Sequence, residues 1–90
     1  MDYLLKQNNT SFIVEQNKAQ IKEDIIKQYI SLRKEQHLSQ EDISNVTGIA
    51  RSNIARIESG KNVPTIEVLI KLAIALDMDL EIQFIEKSRQ

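Results

Sequence analysis

The chain of 90 residues has no cysteine, one proline and only two glycines. The absence of cysteine excludes disulfides and thiolate metal sites, and it fits a reducing cytoplasm. The scarcity of proline and glycine favours helices, because these residues interrupt them. No apolar run approaches the roughly 18 residues that a membrane helix needs, and nothing near Met1 resembles a signal peptide. We therefore expect one helical, cytoplasmic domain.

Charge of one sign does not dominate either, since the net charge is −1. Acidic side chains outnumber basic ones in residues 1–24 and 77–90. In contrast, the segment 51–61 in the middle of the chain contains two arginines and Lys61 but only one acid, Glu58. A mild basic patch on an acidic background is compatible with DNA binding that is weak on nonspecific sequence and strongly dependent on salt.

The spacing of apolar residues predicts two helices in the first third of the chain. Polar residues 8–11 indicate a turn, with Thr10 or Ser11 capping a short helix over 12–17. An amphipathic helix is expected over 19–36. Its expected core positions are Ile21, Ile25, Ile26, Tyr29, Ile30 and Leu32.

Three further helices are predicted from their end signals. Ser39 is a favourable N-cap, and Gly48 accepts the left-handed backbone that ends a helix. The next helix is expected over 51–59, with Gly60 after it, and the last begins at Pro64–Thr65. The residues expected to be buried are Ile43 and Val46 in the first, Ile54 and Ile57 in the second, and Ile66, Leu69, Leu72, Ala73 and Leu76 in the third.

The period changes from Leu80 onwards. Leu80, Ile82 and Phe84 alternate with polar residues, which predicts a strand with one apolar face. A lone strand leaves its backbone amides unpaired. Residues 2–5 are a short candidate partner within the chain, but pairing between two copies about a two-fold axis is more economical. Leu80, Ile82 and Phe84 are therefore expected at a homodimer interface.

Residues 38–60 carry the functional signal. Two short helices are joined by a glycine turn, and each has its own apolar stripe. Such helices must be braced by a helix on either side, which leaves the N-terminal end of the second free to project. An α-helix fits the major groove of DNA, and its first residues reach the base edges.

This segment resembles the lambda-repressor-like, or Xre, family of helix-turn-helix proteins over about residues 25–80. The motifs that carry the resemblance are Leu38-Ser39-Gln40, Thr47-Gly48-Ile49, Ile54-Ala55-Arg56-Ile57-Glu58-Ser59-Gly60-Lys61, and Pro64 with the apolar positions of the last helix. It implies a mainly α fold: a five-helix domain at 21–79, a partly helical N-terminal extension at 1–20, and one C-terminal β-strand at 80–86.

The resemblance also implies which side chains meet double-stranded DNA. The expected contacts are Gln40 to phosphate, Arg51, Ser52 and Asn53 to bases, Arg56 to a base or a phosphate, and Lys61 and Asn62 to phosphates. Arg33 and Glu58 match a structural ion pair of the family. Ala50 departs from the pattern, which has a capping Ser or Thr, so Ala50→Ser should raise stability. The uncapped amides would be free to bind a DNA phosphate.

The implied function is that of a sequence-specific transcriptional regulator, a repressor that binds a palindromic operator as a dimer. The N-terminal extension and the strand are similar to HigA-type antitoxins, so an antitoxin with a cognate toxin is the alternative. A protein-interaction module without DNA binding is a third reading, against which Arg51 and Arg56 argue.

No pattern indicates an enzyme, a metal or a cofactor. His37 is the only histidine and has no cysteine to share a metal with. Asp77, Asp79 and Glu81 alternate as in a calcium loop, but the required glycine is missing. No serine is placed with His37 and an acid, and no glycine-rich loop could hold a phosphate.

Overall fold

The computed structural model describes residues 3–87, with the side chains of residues 10–87. This part of the chain contains four helices: α1 Tyr3–Glu35, α2 Gln40–Thr47, α3 Arg51–Glu58 and α4 Ile66–Ala75. None of these helices is long and apolar enough to cross a membrane.

The ends of the short helices follow from local hydrogen bonding. Ser39 and Asp42 form a capping box at the start of α2: the backbone N–H of Asp42 donates to Ser39 Oγ at 3.0 Å, and the N–H of Ser39 donates to the Asp42 carboxylate at 2.8 Å. Gly48 ends α2 at a φ of 78°. Thr65 caps α4 by accepting a hydrogen bond from the N–H of Val68 at 3.1 Å.

The core lies where the four helices meet. α2 packs against α3 and α4, and α1 packs against α3. Ile43 of α2 and Ile54 of α3 are wholly buried at the centre. The other buried residues of this cluster are Tyr29, Ile49, Leu72 and Leu76. The two helices of the motif are therefore braced by α1 on one side and α4 on the other.

The expectation of five helices is wrong, because the first two are one. α1 runs through the polar residues 8–11 without a break. Asn, Thr and Ser lower helix propensity by only a few tenths of a kcal/mol each, roughly. Neither glycine nor proline occurs in α1, so no strong helix breaker interrupts it at residues 8–11.

The predicted C-terminal strand is also wrong. Residues 78–87 form neither helix nor strand, and no strand occurs anywhere in residues 3–87. The short candidate partner segment is helical from Tyr3 onwards. An alternating pattern forms a strand only beside another backbone that accepts its hydrogen bonds, and the described chain offers none. Leu80 is half-buried, whereas Ile82 and Phe84 are exposed.

Three of the expected core residues are exposed: Ile21, Val46 and Ile66. Val46 lies about 60° around α2 from Ile43, at the edge of the buried stripe. Ile66 is the first residue of α4, where the helix has not yet reached its neighbours. Ile54, Ile57, Leu72 and Leu76 are buried as predicted.

Candidate nucleic-acid interface

α3 has one buried and one open face. Ile54 and Ile57 point into the core, with exposed fractions of 0% and 4%. The side chains expected to contact DNA at its outer surface, Arg51, Ser52, Asn53 and Arg56, are all exposed. Ser52 and Arg56 are one helical turn apart and share a face. Among the described residues, neither arginine of α3 has an ion-pair partner.

The N-terminus of α3 is open as well. Ala50 is its N-cap residue and makes no side-chain capping bond. Its carbonyl accepts hydrogen bonds from Asn53 and Ile54 at 2.9 and 3.0 Å. The N–H groups of Arg51 and Ser52 have no acceptor within the described part of the chain. These amides add a partial positive charge beside the exposed arginines.

The turn between α2 and α3 is held by two hydroxyl groups. Ser44 Oγ donates to the carbonyl of Ile49 at 2.6 Å. Thr47 Oγ1 donates to the carbonyl of Ile43 at 2.7 Å and accepts from the N–H of Ile49 at 3.1 Å. These bonds fix the angle at which α3 leaves the turn. Glycine at position 48 was the part of this turn that the sequence pattern identified; the hydroxyl contacts were missed.

Arg33 and Glu58 lie together under the motif. Arg33 Nε and Nη2 donate to the two carboxylate oxygens of Glu58 at 2.9 and 2.8 Å, and Nη1 donates to the carbonyl of Leu38 at 2.8 Å. Both side chains are about nine-tenths buried, with 10% and 8% exposed. The hydrogen bond to Glu58 raises the pKa of Arg33 above its ordinary value. This fork ties α1 to α3 and to the loop before α2.

Tyr29 lies beside this ion pair. Burial first, and then the negative charge of Glu58, raises the pKa of the Tyr29 hydroxyl above its ordinary value. The hydroxyl oxygen is buried and makes no hydrogen bond of good geometry within residues 10–87. The ring belongs to the core cluster that also contains Ile43 and Ile54.

Gln40 joins the same network from α2. Its Nε2 donates to Glu58 Oε1 at 3.1 Å, and the side chain is half-buried. The carboxylate of Glu58, which belongs to α3, thus accepts hydrogen bonds from Arg33 of α1 and Gln40 of α2. An expected phosphate contact is in this way anchored to the last turn of α3.

The end of α3 is fixed by α1. Lys22 Nζ donates to the carbonyl of Gly60 at 3.0 Å, and Gly60 adopts a φ of 81°. Lys61 is exposed and Asn62 half-buried in the turn that follows. A second tie of the same kind joins Gln36 Nε2 to the carbonyl of Leu76 at 2.9 Å. No sequence signal distinguishes Lys22 from the other polar residues of α1, or Gln36 from those of the turn after it.

Within the described residues, no group of three or more His, Asp or Glu side chains could hold a metal ion. The chemistry of the interface is that of recognition: guanidinium, carboxamide and hydroxyl groups at one end of a helix, beside free backbone amides.

Comparison with known proteins identifies a helix-turn-helix domain in this chain. A helix-turn-helix family profile matches residues 30–83, more than half of the chain. The "ImmF control region 10 kDa protein" of Bacillus phage phi105 is 34% identical over 61 residues, covering 61% of this chain and 68% of its own. An "Uncharacterized HTH-type transcriptional regulator" of Haemophilus influenzae is 36% identical over 58 residues, covering 64% of this chain and 59% of its own. No solved structure matches.

The HigA-type subgroup is not supported by these comparisons, since neither relative is named an antitoxin. The family match spans α2, α3 and α4 and the C-terminal turn of α1, which are the elements that form and brace the motif. The chain belongs to the lambda-repressor-like, or Xre, family of helix-turn-helix DNA-binding proteins.

Proposed function

We propose that this protein is a transcriptional repressor that binds a palindromic operator as a homodimer, with α3 in the major groove. The supporting observation is that α3 has a buried face and an exposed cationic face. Ile54 is wholly buried, while Arg51 and Arg56 are exposed without ion-pair partners among the described residues. A helix anchored on one side and cationic on the other is suited to entering a groove lined with phosphates.

Direct reading of bases falls to the first turn of α3. Arg51 can donate two parallel bonds to guanine O6 and N7, and Asn53 can pair with adenine N6 and N7. Ser52 is short enough to bond to either base. Each good bidentate contact discriminates against the wrong base by about 1–3 kcal/mol. Arg56, one turn further along, extends the contact to the next base or to its phosphate.

Positioning on the backbone falls to groups around α3. Gln40 has two amide hydrogens on Nε2, so it can donate to Glu58 and to a phosphate at once. Lys61 and Asn62 flank the other end of α3, and the free amides of Arg51 and Ser52 add two donors at its start. These contacts carry no sequence information but set the register of the helix.

A homodimer follows from the size of the recognition surface. One α3 of eight residues spans only a few base pairs. Two copies about a two-fold axis would read two half-sites about 10 base pairs apart. The second copy also doubles the phosphate contacts, which matters for a chain whose net charge is −1. Repression then needs only occupancy of a promoter. No specific observation favours an antitoxin with a cognate toxin.

Selection from a pool of random-sequence duplexes tests this proposal. The expected outcome is a palindrome with half-sites about one helical turn apart. Arg51→Ala and Asn53→Ala should each relax the preference at one symmetry-related position, while Lys27→Ala, an exposed control on α1, should leave it unchanged. If no sequence is enriched, the protein is an interaction module that kept the fold without DNA binding.

A further inference from the structure

An apolar groove runs along α1 where α4 and the loop before it meet that helix. One stretch, of about 400 Å³, is lined mainly by apolar side chains. A second stretch of about 100 Å³ continues it towards the end of α4. Ile25 and Leu69 line both, so the two stretches are one surface. The apolar lining of the first stretch includes Val14, Ile21, Ile25, Val63 and Leu69.

The C-terminal tail, residues 80–85, is a second exposed apolar surface. Phe84 is fully exposed, and Ile82 and Ile85 are 65% and 80% exposed. Leu80, at the start of the tail, lines the far end of the groove. Exposed apolar side chains concentrated in a short segment usually mark a contact with another surface.

The tail and the groove match in length. An extended segment from Leu80 to Ile85 spans about 17 Å. The stretch of α1 from Val14 to Ile25 also spans about 17 Å. Ile82 and Phe84 project from one side of an extended segment, so an apolar groove of this length can receive both, while Leu80 remains at the end of its own groove.

The tail and the groove also match in charge. Lys18 and Lys22 stand at the edge of the groove. Lys22 donates to a neutral carbonyl, so its charge is not cancelled by an acid, while Lys18 has only an exposed contact with Glu15 at 3.3 Å. The tail and the residues on either side of it carry three acids, Asp79, Glu81 and Glu86. Apolar residues flanked by acids meet an apolar groove flanked by lysines.

The tail does not cover the groove of its own copy. It leaves from the far end of its own groove at Leu80. After a turn at Asp77, which has a φ of 58°, the side chains of Ile82, Phe84 and Ile85 remain exposed, and so do Val14 and Ile21 in the groove. The groove is therefore open to the tail of another copy.

From these observations we propose that the groove receives the C-terminal tail of a second copy, and that two copies exchange tails reciprocally. Each copy inserts its tail into the groove of the other, so the assembly is a closed dimer with no free groove. The inference rests on the dimer of the proposed function and names its contact surface. The tail enters as an extended segment held by side chains, without a β-ladder between the copies.

Sedimentation velocity without DNA tests the exchange. The wild type should be a dimer at micromolar concentration. Phe84→Ser, which alters the tail, and Ile21→Glu, which alters the groove, should each be monomeric with unchanged circular dichroism, because both side chains are exposed. Val46→Glu, an equally exposed aliphatic residue on α2, should remain a dimer.

Mixing the two monomeric variants is the decisive step. The Ile21→Glu chain has an intact tail and the Phe84→Ser chain an intact groove, so their mixture should form a heterodimer with one of the two contacts. A peptide of residues 79–87 should bind the Phe84→Ser protein and not the Ile21→Glu protein. A monomeric wild type, a dimeric variant or a mixture that stays monomeric overturns the proposal.

The same assay separates this inference from the proposed function. Arg51→Ala should be fully dimeric here, whatever it does to DNA binding. A protein that dimerises through the groove but enriches no DNA sequence contradicts the proposed function alone. A protein that selects a palindrome while Phe84→Ser remains dimeric contradicts only the tail exchange.

Discussion

Arg33 and Glu58 form a buried pair whose two charges compensate each other. Their side chains are 10% and 8% exposed, and each would be costly to bury alone. We expect Arg33→Leu to lower the free energy of unfolding by about 3–5 kcal/mol, because it leaves a buried carboxylate without its cation. Urea denaturation followed by circular dichroism measures this loss.

The double variant shows how much of that loss belongs to the uncompensated charge. Arg33→Leu with Glu58→Leu should recover most of the stability, since apolar replacements of a buried pair are often neutral. Lys27→Leu, which breaks an exposed contact with Glu23, should change stability by less than about 1 kcal/mol. Additive losses in the double variant would contradict this account.

Single residues could be predicted from the sequence only where chemistry was local or a family pattern was available. Ser39, Gly48 and Thr65 lie at helix ends because cap oxygens and positive φ angles have strong residue preferences. The hydrogen bond from Lys22 to Gly60 joins residues 38 apart in sequence. Such a contact depends on how the helices pack, and no local pattern indicates it.

At the scale of the element, the start of α2 depends on the charge of Asp42. Hydrogen bonds from Ser39 lower the pKa of this carboxyl. A lowered folded-state pKa contributes stability above the unfolded-state value, about 3.9, and that stability is lost as the pH falls through the folded-state pKa. Asp42→Asn should therefore cost stability at neutral pH and progressively less below about pH 4.

The measurement is the urea midpoint of both proteins from neutral to acidic pH. Glu41→Gln is the matched control, because Glu41 is an exposed acid in the same turn of α2 and has no part in the capping box. The difference in urea midpoint between Glu41→Gln and the wild type should vary less with pH. Equal pH dependence in the two variants would show that general charge at the helix start, rather than the cap bond, is responsible.

α3 begins without a side-chain cap, and its start can be improved. Ala50 has φ −57° and ψ 138°, a backbone that a capping serine can adopt. Ala50→Ser should raise the free energy of unfolding by about 1 kcal/mol, because the new oxygen accepts a free amide hydrogen. Thermal and urea unfolding would measure this gain. Ala50→Val, which adds bulk without an acceptor, should give none; an equal gain would show that packing is the cause.

Elements were predictable where a breaker or a cap marked their ends and unpredictable where an end depended on a partner. α1 is continuous through residues 8–11 because weak helix formers alone do not stop a long helix. The period of two after Asp79 places apolar residues at alternate positions of the sequence. It cannot supply the neighbouring backbone that a strand needs, so the predicted strand does not form.

At the scale of the whole molecule, binding must overcome an unfavourable balance of charge, since the net charge is −1. The cations that could meet DNA are concentrated at α3 and the turn after it, while the acids lie mostly towards the two ends of the sequence. Affinity should therefore rest on a few phosphate contacts and fall steeply as the salt concentration rises.

Lys61 and Arg51 should differ in how they contribute to this affinity. Lys61→Ala should weaken binding to all sequences alike and reduce the slope of log K against log salt by about 2 for a dimer, because each copy loses one phosphate contact. Arg51→Ala should instead reduce the difference in binding free energy between the operator and a duplex changed at one guanine, by about 1–3 kcal/mol. Fluorescence anisotropy with both duplexes over a range of salt concentrations separates the two effects. If Lys61→Ala reduces that difference in binding free energy while the salt slope stays constant, Lys61 contacts bases. In that case the division between base contacts at the start of α3 and phosphate contacts at its end is wrong.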